Sequence, residues 1–347
     1  MLTVYSDRHH DHDGDRVLVF GALQANFDRP ARADNIVGRI REIGLGPVIE
    51  PDDHGLEAIL KVHDDAYVRF LREAAAAWQA RGNAHALSAT LRAPRRAPTS
   101  RTPANLDLDA SIGHYLFDTV TPLTPTTWPA VYMSAQVALS GAAALRDGER
   151  AVFSLCRPPG HHAGRDYGGG YCYLNNAGIA AQAALDHGAR RVAILDVDYH
   201  HGNGTQDLFY TRDDVLFISI HADPRVDFPY FTGFADETGE GTGAGCNRNY
   251  PLPHGTAWPQ WCEAFEAACA GLAAFAPDVL VISLGVDTYQ GDPIAQFRLG
   301  HEHYSRIGER LAALALPTHF VMEGGYALDA IGLNVTNLLS GFEQQAS

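Results

Sequence analysis

The chain has 347 residues, of which 46% are hydrophobic and 19% charged, and its formal net charge is −15 at pH 7. That length and apolar content suit one large α/β domain with a sizeable core. The acidic balance argues against nucleic acid as a partner, because phosphate backbones need basic surface, and no apolar run reaches the length of a membrane span. The opening MLTVYSDRHH lacks a basic region followed by an apolar stretch, so no secretory signal is read and the cytoplasm is the expected location. The cysteines Cys156, Cys172, Cys246, Cys262 and Cys269 are odd in number and scattered, without C-x-x-C. Free, mostly buried thiols are expected rather than a disulfide framework or a thiolate zinc site.

In chain order, LTVYS reads as a short strand, and the His/Asp-rich DRHHDHDGDR after it has no assigned role. ADNIVGRIREIGL has helical apolar spacing closed by Gly44, and GLEAILKVHDDAYVRFLREAAAAWQARG is helical to about Gly82. Between residues 86 and 127 the pattern breaks into Pro-, Thr- and Arg-rich text, expected to be an irregular insert that contacts a partner or serves the site. Beyond Trp128 helices alternate with apolar strands: AVYMSAQVALSGAAALRDG then RAVFSLC, NNAGIAAQAALDHGA then RVAILDVDYH, the strand LFISIHA, WCEAFEAACAGLAAFA then DVLVISLGVD, and YSRIGERLAALA then THFVMEGGY. Such alternation predicts a mainly parallel central sheet with helices on both faces and a ligand site beyond the carboxyl ends of its strands.

The residues at those ends carry chemistry. Asp198 and His200 stand at i and i+2, so one strand face would present both to one ion, with Asp196 on the same side. Asp287 closes VLVISLGVD as a third ligand. Two carboxylates and an imidazole suit Zn²⁺ with a position left for water and substrate; Fe²⁺ or Co²⁺ would accept the same set. His161 and His162 follow the stiff Arg157-Pro158-Pro159-Gly160 turn and fit general acid–base work, with Asp196 and Asn203 available to orient them. Tyr326, after Glu323-Gly324-Gly325, could swing its hydroxyl over the metal and donate to an oxyanion.

The strings RPPGHHAG, GGGYCYLNNAGIAA, LDVDYHHGNGTQDLFY, SIHADP, SLGVDT with DPI, and MEGGY together resemble the arginase–deacetylase superfamily, specifically its zinc-dependent deacetylases. The fragments LTVYSDRHH, RPARADNI and FPYFTGFADETGEGTGAG look more like the bacterial acetylpolyamine amidohydrolases of that family than its histone deacetylases. The resemblance implies one domain over residues 1–347 with an eight-stranded sheet of the arginase/deacetylase fold. It implies Asp198, His200 and Asp287 as zinc ligands, His162 as general base, His161 as its electrostatic or proton-donating partner, and Tyr326 as the group polarising the carbonyl. Tyr171 and Phe228 would be the aromatic walls of a substrate tunnel. A K⁺ or Na⁺ site would fall at Asp196, Asp198, His200, Ser219 and Ile220, and a second monovalent site at Phe209, Arg212, Val215 and Cys246.

The implied substrate is a small cationic acetylated amine, with Asp109 and Asp118 as candidate acceptors for its far ammonium. The insert 86–127 is expected at a homodimer interface. The rival readings are a lysine deacetylase acting on peptides or proteins and a catalytically silent binding module on the same fold. An arginase-like two-manganese hydrolase would need more carboxylates than the site offers.

Overall fold

Short apolar runs without polar alternation bury both faces of a strand. In the computed structural model, which describes residues 1–14, 16–89 and 106–346, those runs form the middle of one sheet. The elements are β1 (Leu2–Val4), a 3-10 turn (Asp7–Asp11), β2 (Arg16–Val19), β3 (Ala22–Ala25), α1 (Ala31–Ile43), β4 (Val48–Ile49), α2 (Glu57–Val62), α3 (Asp65–Ala80), α4 (Leu108–Tyr115) and α5 (Thr127–Arg146). They continue with β5 (Ala151–Ser154), α6 (Asn176–Asp186), β6 (Val192–Asp196), α7 (Asn203–Phe209), β7 (Val215–Ala222), β8 (Asn247–Leu252), α8 (Trp258–Phe275), β9 (Val279–Leu284), α9 (His301–Ala312), β10 (Thr318–Met322) and α10 (Leu328–Ala346). Eight strands pair in the order β4-β1-β5-β10-β9-β6-β7-β8. Every neighbouring pair is parallel, while β2 and β3 form a separate antiparallel hairpin.

Alternate residues of the strands feed two cores. Leu195, Ile218, Leu280, Ile282 and Phe320 pack with Ile36, Trp261, Phe265 and Leu338 on one face. Val152, Ile194, Phe217, Val281 and Val321 pack with Val137, Ala180 and Phe209 on the other. A third cluster joins α2, α3, α4 and α5 through Ile59, Tyr67, Tyr115 and Leu139. The chain passes from β5 to β6 over the positions that β10 and β9 later fill. This reversal opens a crevice at the carboxyl ends of the central strands, the usual place for a ligand in such sheets.

Several expectations change. β6 ends at Asp196 and β9 at Leu284, so Asp198, His200 and Asp287 lie in the loops beyond the strands and do not share one strand face. Carboxylates cap the turning backbone instead: Asp196 Oδ1 accepts from Asp198 N (3.1 Å), Asp198 Oδ1 from His200 N (2.9 Å) and Asp287 Oδ1 from Tyr199 N (2.8 Å). The insert is not wholly irregular. Asp107 caps α4 by accepting from Asp109 N, and Ile112 and Tyr115 are buried; part of the segment, 90–105, lies outside the described residues. The hairpin, β8 and α10 were not read from the sequence. All five cysteines are free, and Cys246 and Cys262 are only half-buried. No helix among the described residues is long and apolar enough to cross a membrane.

Candidate active site

The loops after β5, β6, β9 and β10 converge on one buried polar cluster. Asp198, His200 and Asp287 bring ligand atoms within 4.8 Å of one another. His200 Nδ1 lies 3.2 Å from Asp287 Oδ2 and 3.4 Å from Asp198 Oδ1. Gly324 N donates to Asp198 Oδ2 at 2.8 Å. Only glycine fits at position 324, because a Cβ there would meet Asp198 Oδ2 at 2.5 Å and Asp287 Oδ2 at 2.6 Å. Burial, then the charge of Asp198, pushes the Asp287 carboxyl up to about 7. Two carboxylates confined this way call for a cation, and oxygen and nitrogen donors in this number fit a divalent metal with an open position.

The adjacent histidines are held differently. His161 Nδ1 lies 2.9 Å from Asp196 Oδ2. Burial opposes its charge, but Asp196 and Asp198 outweigh it and push the ring up to about 10. His162 Nδ1 lies 2.7 Å from Asn203 Oδ1, while Asn203 Nδ2 donates to His162 O at 3.4 Å and Tyr167 Oη at 3.3 Å. That amide orientation leaves the oxygen as acceptor, so Nδ1 of His162 carries the hydrogen and Nε2 keeps its lone pair. Burial and the charges of His161 and His200 hold His162 well below its usual range. The two rings are thus pulled in opposite directions, His161 toward the charged form and His162 toward the neutral one. Beneath the pair, Glu323 Oε2 accepts from Gly160 N (2.6 Å) and His161 N (3.1 Å), which fixes the turn.

Tyr326 is buried, and burial keeps its phenol protonated far above neutrality although Arg32 pulls the other way. The Arg32 guanidinium sits 4.7 Å from the Tyr326 ring centroid and donates to Gly325 O (2.6 Å), Glu323 O (2.5 Å) and Asp28 Oδ1 (2.6 Å). Asp292 Oδ2 accepts from Tyr326 N at 2.7 Å. Neither Arg32 nor Asp292 was singled out from sequence, although the Asp-Pro-Ile run stood within a noted motif.

A cavity of about 510 Å³ leads to this cluster and is lined by His162, His200, Tyr326, Tyr171, Phe228 and Phe117, among others. Tyr171 and Phe228, expected as tunnel walls, both line this cavity, as do Phe117, Phe27 and Ile294, which were not expected. The Phe228 ring stands 4.9 Å from His162 and 5.8 Å from Phe117. At Gly170 a Cβ would meet the His162 ring at 2.3 Å. The β2–β3 hairpin forms part of the rim, with Leu18, Val19 and Phe20 lining the mouth.

The candidate ammonium acceptors separate. Asp118 lines the cavity, but it accepts from Gly170 N, Val120 N (3.0 Å) and Thr121 Oγ1 (3.0 Å). It thereby holds the backbone beside Tyr171. Asp109 is exposed, pairs with Arg81 (2.9 Å) and does not line the cavity. Asp227, overlooked in the sequence, does line it and accepts from Tyr199 Oη and His254 Nε2.

Ser219 lies opposite Asp196 in the β6–β7 register, followed by Ile220, with its hydroxyl 2.7 Å from His221 Nδ1. At the residues expected for a second monovalent ion, Phe209 O accepts from Arg212 N (3.0 Å) and Cys246 O from Phe217 N (2.9 Å). The Arg212 side chain is committed to Asp214 (2.7 Å), and Val215 begins β7 opposite Val192.

Residues 26–342 match the histone deacetylase domain. The chain is 58% identical over 346 residues to acetylpolyamine amidohydrolase 1 of Pseudomonas aeruginosa, covering 100% of both chains. It is 46% identical to acetylpolyamine amidohydrolase of Mycoplana ramosa, covering 98% of this chain and 99% of that one. The crystal structure of acetylpolyamine aminohydrolase from Burkholderia pseudomallei superposes with a TM-score of 0.94 at 41% identity, covering 99% of each chain.

Proposed function

The chain belongs to the histone deacetylase family and is a hydrolase of the deacetylase type, and from that premise we propose that it removes acetyl groups from acetylated polyamines and diamines, using Zn²⁺ held by Asp198, His200 and Asp287. The observation that carries this reading is the convergence of those three buried ligands with a neutral His162 at the bottom of an apolar-walled cavity. Bound there, Zn²⁺ supplies Lewis acidity toward the amide oxygen and the attacking water. His162 Nε2 takes the water proton, because Asn203 fixes the hydrogen on Nδ1. Tyr326 donates its phenolic hydrogen to the developing oxyanion. His161, kept cationic by Asp196, adds positive charge beside the reacting centre, and His162 returns the proton to the leaving nitrogen, giving acetate and a free amine.

The names of the relatives support the polyamine class. So does a sleeve of Tyr171, Phe228, Phe117 and Phe27, which suits a methylene chain. The far ammonium of such a chain would find Asp227 at the rim, with Asp118 deeper. A homodimer covering the rim is part of the proposal. It is supported by the exposed Phe20, Tyr230 and Phe231, which line the mouth, and a cytoplasmic enzyme handling small amines fits it. K⁺ or Na⁺ near Asp196 and Ser219 would act as a structural support, and a second such ion would rely on the backbone carbonyls of Phe209, Arg212, Val215 and Cys246. The test is a rate panel over acetylputrescine, acetylcadaverine, acetylspermidine and an acetyl-lysine peptide, with metal content measured on the same preparation. Faster turnover of the peptide, or inactivity of zinc-replete protein toward all the diamines, overturns the reading.

A further inference from the structure

The His/Asp-rich segment after β1 takes no part in the chemistry above, yet it folds against α1 in a specific way. The 3-10 turn Asp7–Asp11 carries His9 and His10, and both aim Nε2 at Asp34 of α1. His9 Nε2 lies 3.4 Å and His10 Nε2 3.1 Å from the same oxygen, Asp34 Oδ1, and the two rings are 4.0 Å apart. A tetrahedral ion with bonds of about 2.0–2.1 Å separates neighbouring donors by roughly 3.3 Å, so these spacings match the edges of a metal polyhedron. His9, His10 and Asp34 are among the ligand groups that could hold an ion.

A second observation points the same way. His10 Nδ1 lies 2.9 Å from the carbonyl oxygen of Asp7. A carbonyl only accepts, so Nδ1 carries the hydrogen, and Nε2 faces a carboxylate; against burial, the Asp7 carbonyl and Asp34 raise this ring's affinity for a proton, which a metal must displace. Lone pair facing lone pair at this distance is stable only when a proton or a metal ion lies between them. A backbone carbonyl on the far nitrogen is also the usual orienting partner of a metal-ligating histidine. His9 is 3% exposed, and burial together with the His10 charge holds it to about 4, so its ring is neutral. The Tyr5 hydroxyl, 2.9 Å from His9 Nε2, is also hydrogen-bonded to the Asp7 carboxylate, so it keeps an acceptor if His9 turns to a metal.

We propose that His9, His10 and Asp34 form a second divalent transition-metal site, separate from the catalytic cluster, that fastens the N-terminal segment to α1. The donor set suits Zn²⁺, and Cu²⁺ or Ni²⁺ would also enter it; with three protein donors a tetrahedral ion keeps one position for water. The buried His9 Nδ1 has no partner, so a metal on Nε2 strands a hydrogen there. This makes the site roughly ten- to a hundredfold weaker than a fully supported one. It is therefore a site that fills at micromolar free metal and exchanges, in contrast to a centre that is permanently loaded.

Full-chain holoenzyme is equilibrated against buffered micromolar free Zn²⁺ above neutral pH, and zinc per chain is counted for the wild type, His10→Ala and Asp34→Asn. The wild type is expected to hold one more zinc than either variant, His10→Cys is expected to recover it, and added Zn²⁺ should raise the melting temperature of the wild type and His10→Cys but not of His10→Ala or Asp34→Asn. His10→Ala should keep its turnover at low free zinc, since the residue is outside the cleft. Equal zinc content in the wild type, His10→Ala and Asp34→Asn overturns the proposal, as does a zinc-induced melting shift that survives in both variants.

Discussion

His162 and Phe20 stand at the two ends of one cavity and are held in opposite ways. His162 is 3% exposed, tied through Nδ1 to Asn203, and boxed by Gly170 and Phe228. Phe20 is 92% exposed at the tip of the β2–β3 hairpin, which is fastened to the insert by the hydroxyl of Thr119 on Leu18 O. The floor is a network in which each polar atom constrains the next, so a single change there propagates. The rim is a set of apolar surfaces that adapt, so a single change there trims contact area and little else. Chemistry needs the first arrangement, and choice among substrates can be made with the second.

That contrast can be broken at the floor first. Asp287→Asn should abolish turnover and lower bound metal in the same preparation. Full activity with unchanged metal content would remove the carboxylate pair from the mechanism. Next, Tyr326→Phe should lower kcat by about 10²–10³-fold, as for loss of an oxyanion donor, with KM and melting temperature little changed; a pure KM effect would assign the ring to binding. Asn203→Ala should cost about 10–100-fold by freeing the His162 ring, and the acid limb of the rate profile should move with it. An unmoved profile would separate Asn203 from the base.

Stability sharpens the comparison from another side. Burial depresses His12, His63 and His221 to about 4 and His319 to about 3. Each folded-state value lies below the unfolded one, so the unfolded chain binds more protons in acid. The stability these rings contribute is complete above about pH 6.5 and is lost as the pH falls toward 4. At pH 5 each costs on the order of 2 kcal/mol. Asp287, pushed up to about 7, pulls the other way in metal-stripped protein, so the check is a comparison: the urea midpoint of His63→Gln should fall less than that of the wild type between pH 7.5 and 5, and an equal fall refutes the account. The smallest effect belongs to the rim: Phe20→Ala should change KM less than about tenfold and leave kcat alone, with a shift in the ratio of diamine to peptide rates. A large fall in kcat would make the hairpin part of the floor.

The floor was legible in the sequence because its chemistry restricts residue type. Asp198, His200, Asp287, His161, His162 and Tyr326 all meet in one buried cluster or at its edge. What the sequence misled on was how they arrive. An i, i+2 pairing on one face requires β6 to run through His200, whereas the strand stops at Asp196 and side-chain carboxylates take over the backbone donors. The rim was less legible because its walls, such as Phe27, Phe117 and Ile294, are ordinary apolar residues from distant segments. Asp292 and Arg32 escaped for a related reason, since each acts on Tyr326 through a backbone hydrogen bond or a ring face rather than through a motif.

Arg32 bears on inhibitor design. Its guanidinium lies against the Tyr326 ring while clamping the carbonyls on either side of the Gly324–Gly325 pair. A compound that gains room by pushing the phenol aside must also disturb a cation that is buried away from solvent. Scaffolds that leave the phenol seated and engage its hydroxyl face no such obstacle, so potency here should track how little a compound moves that ring.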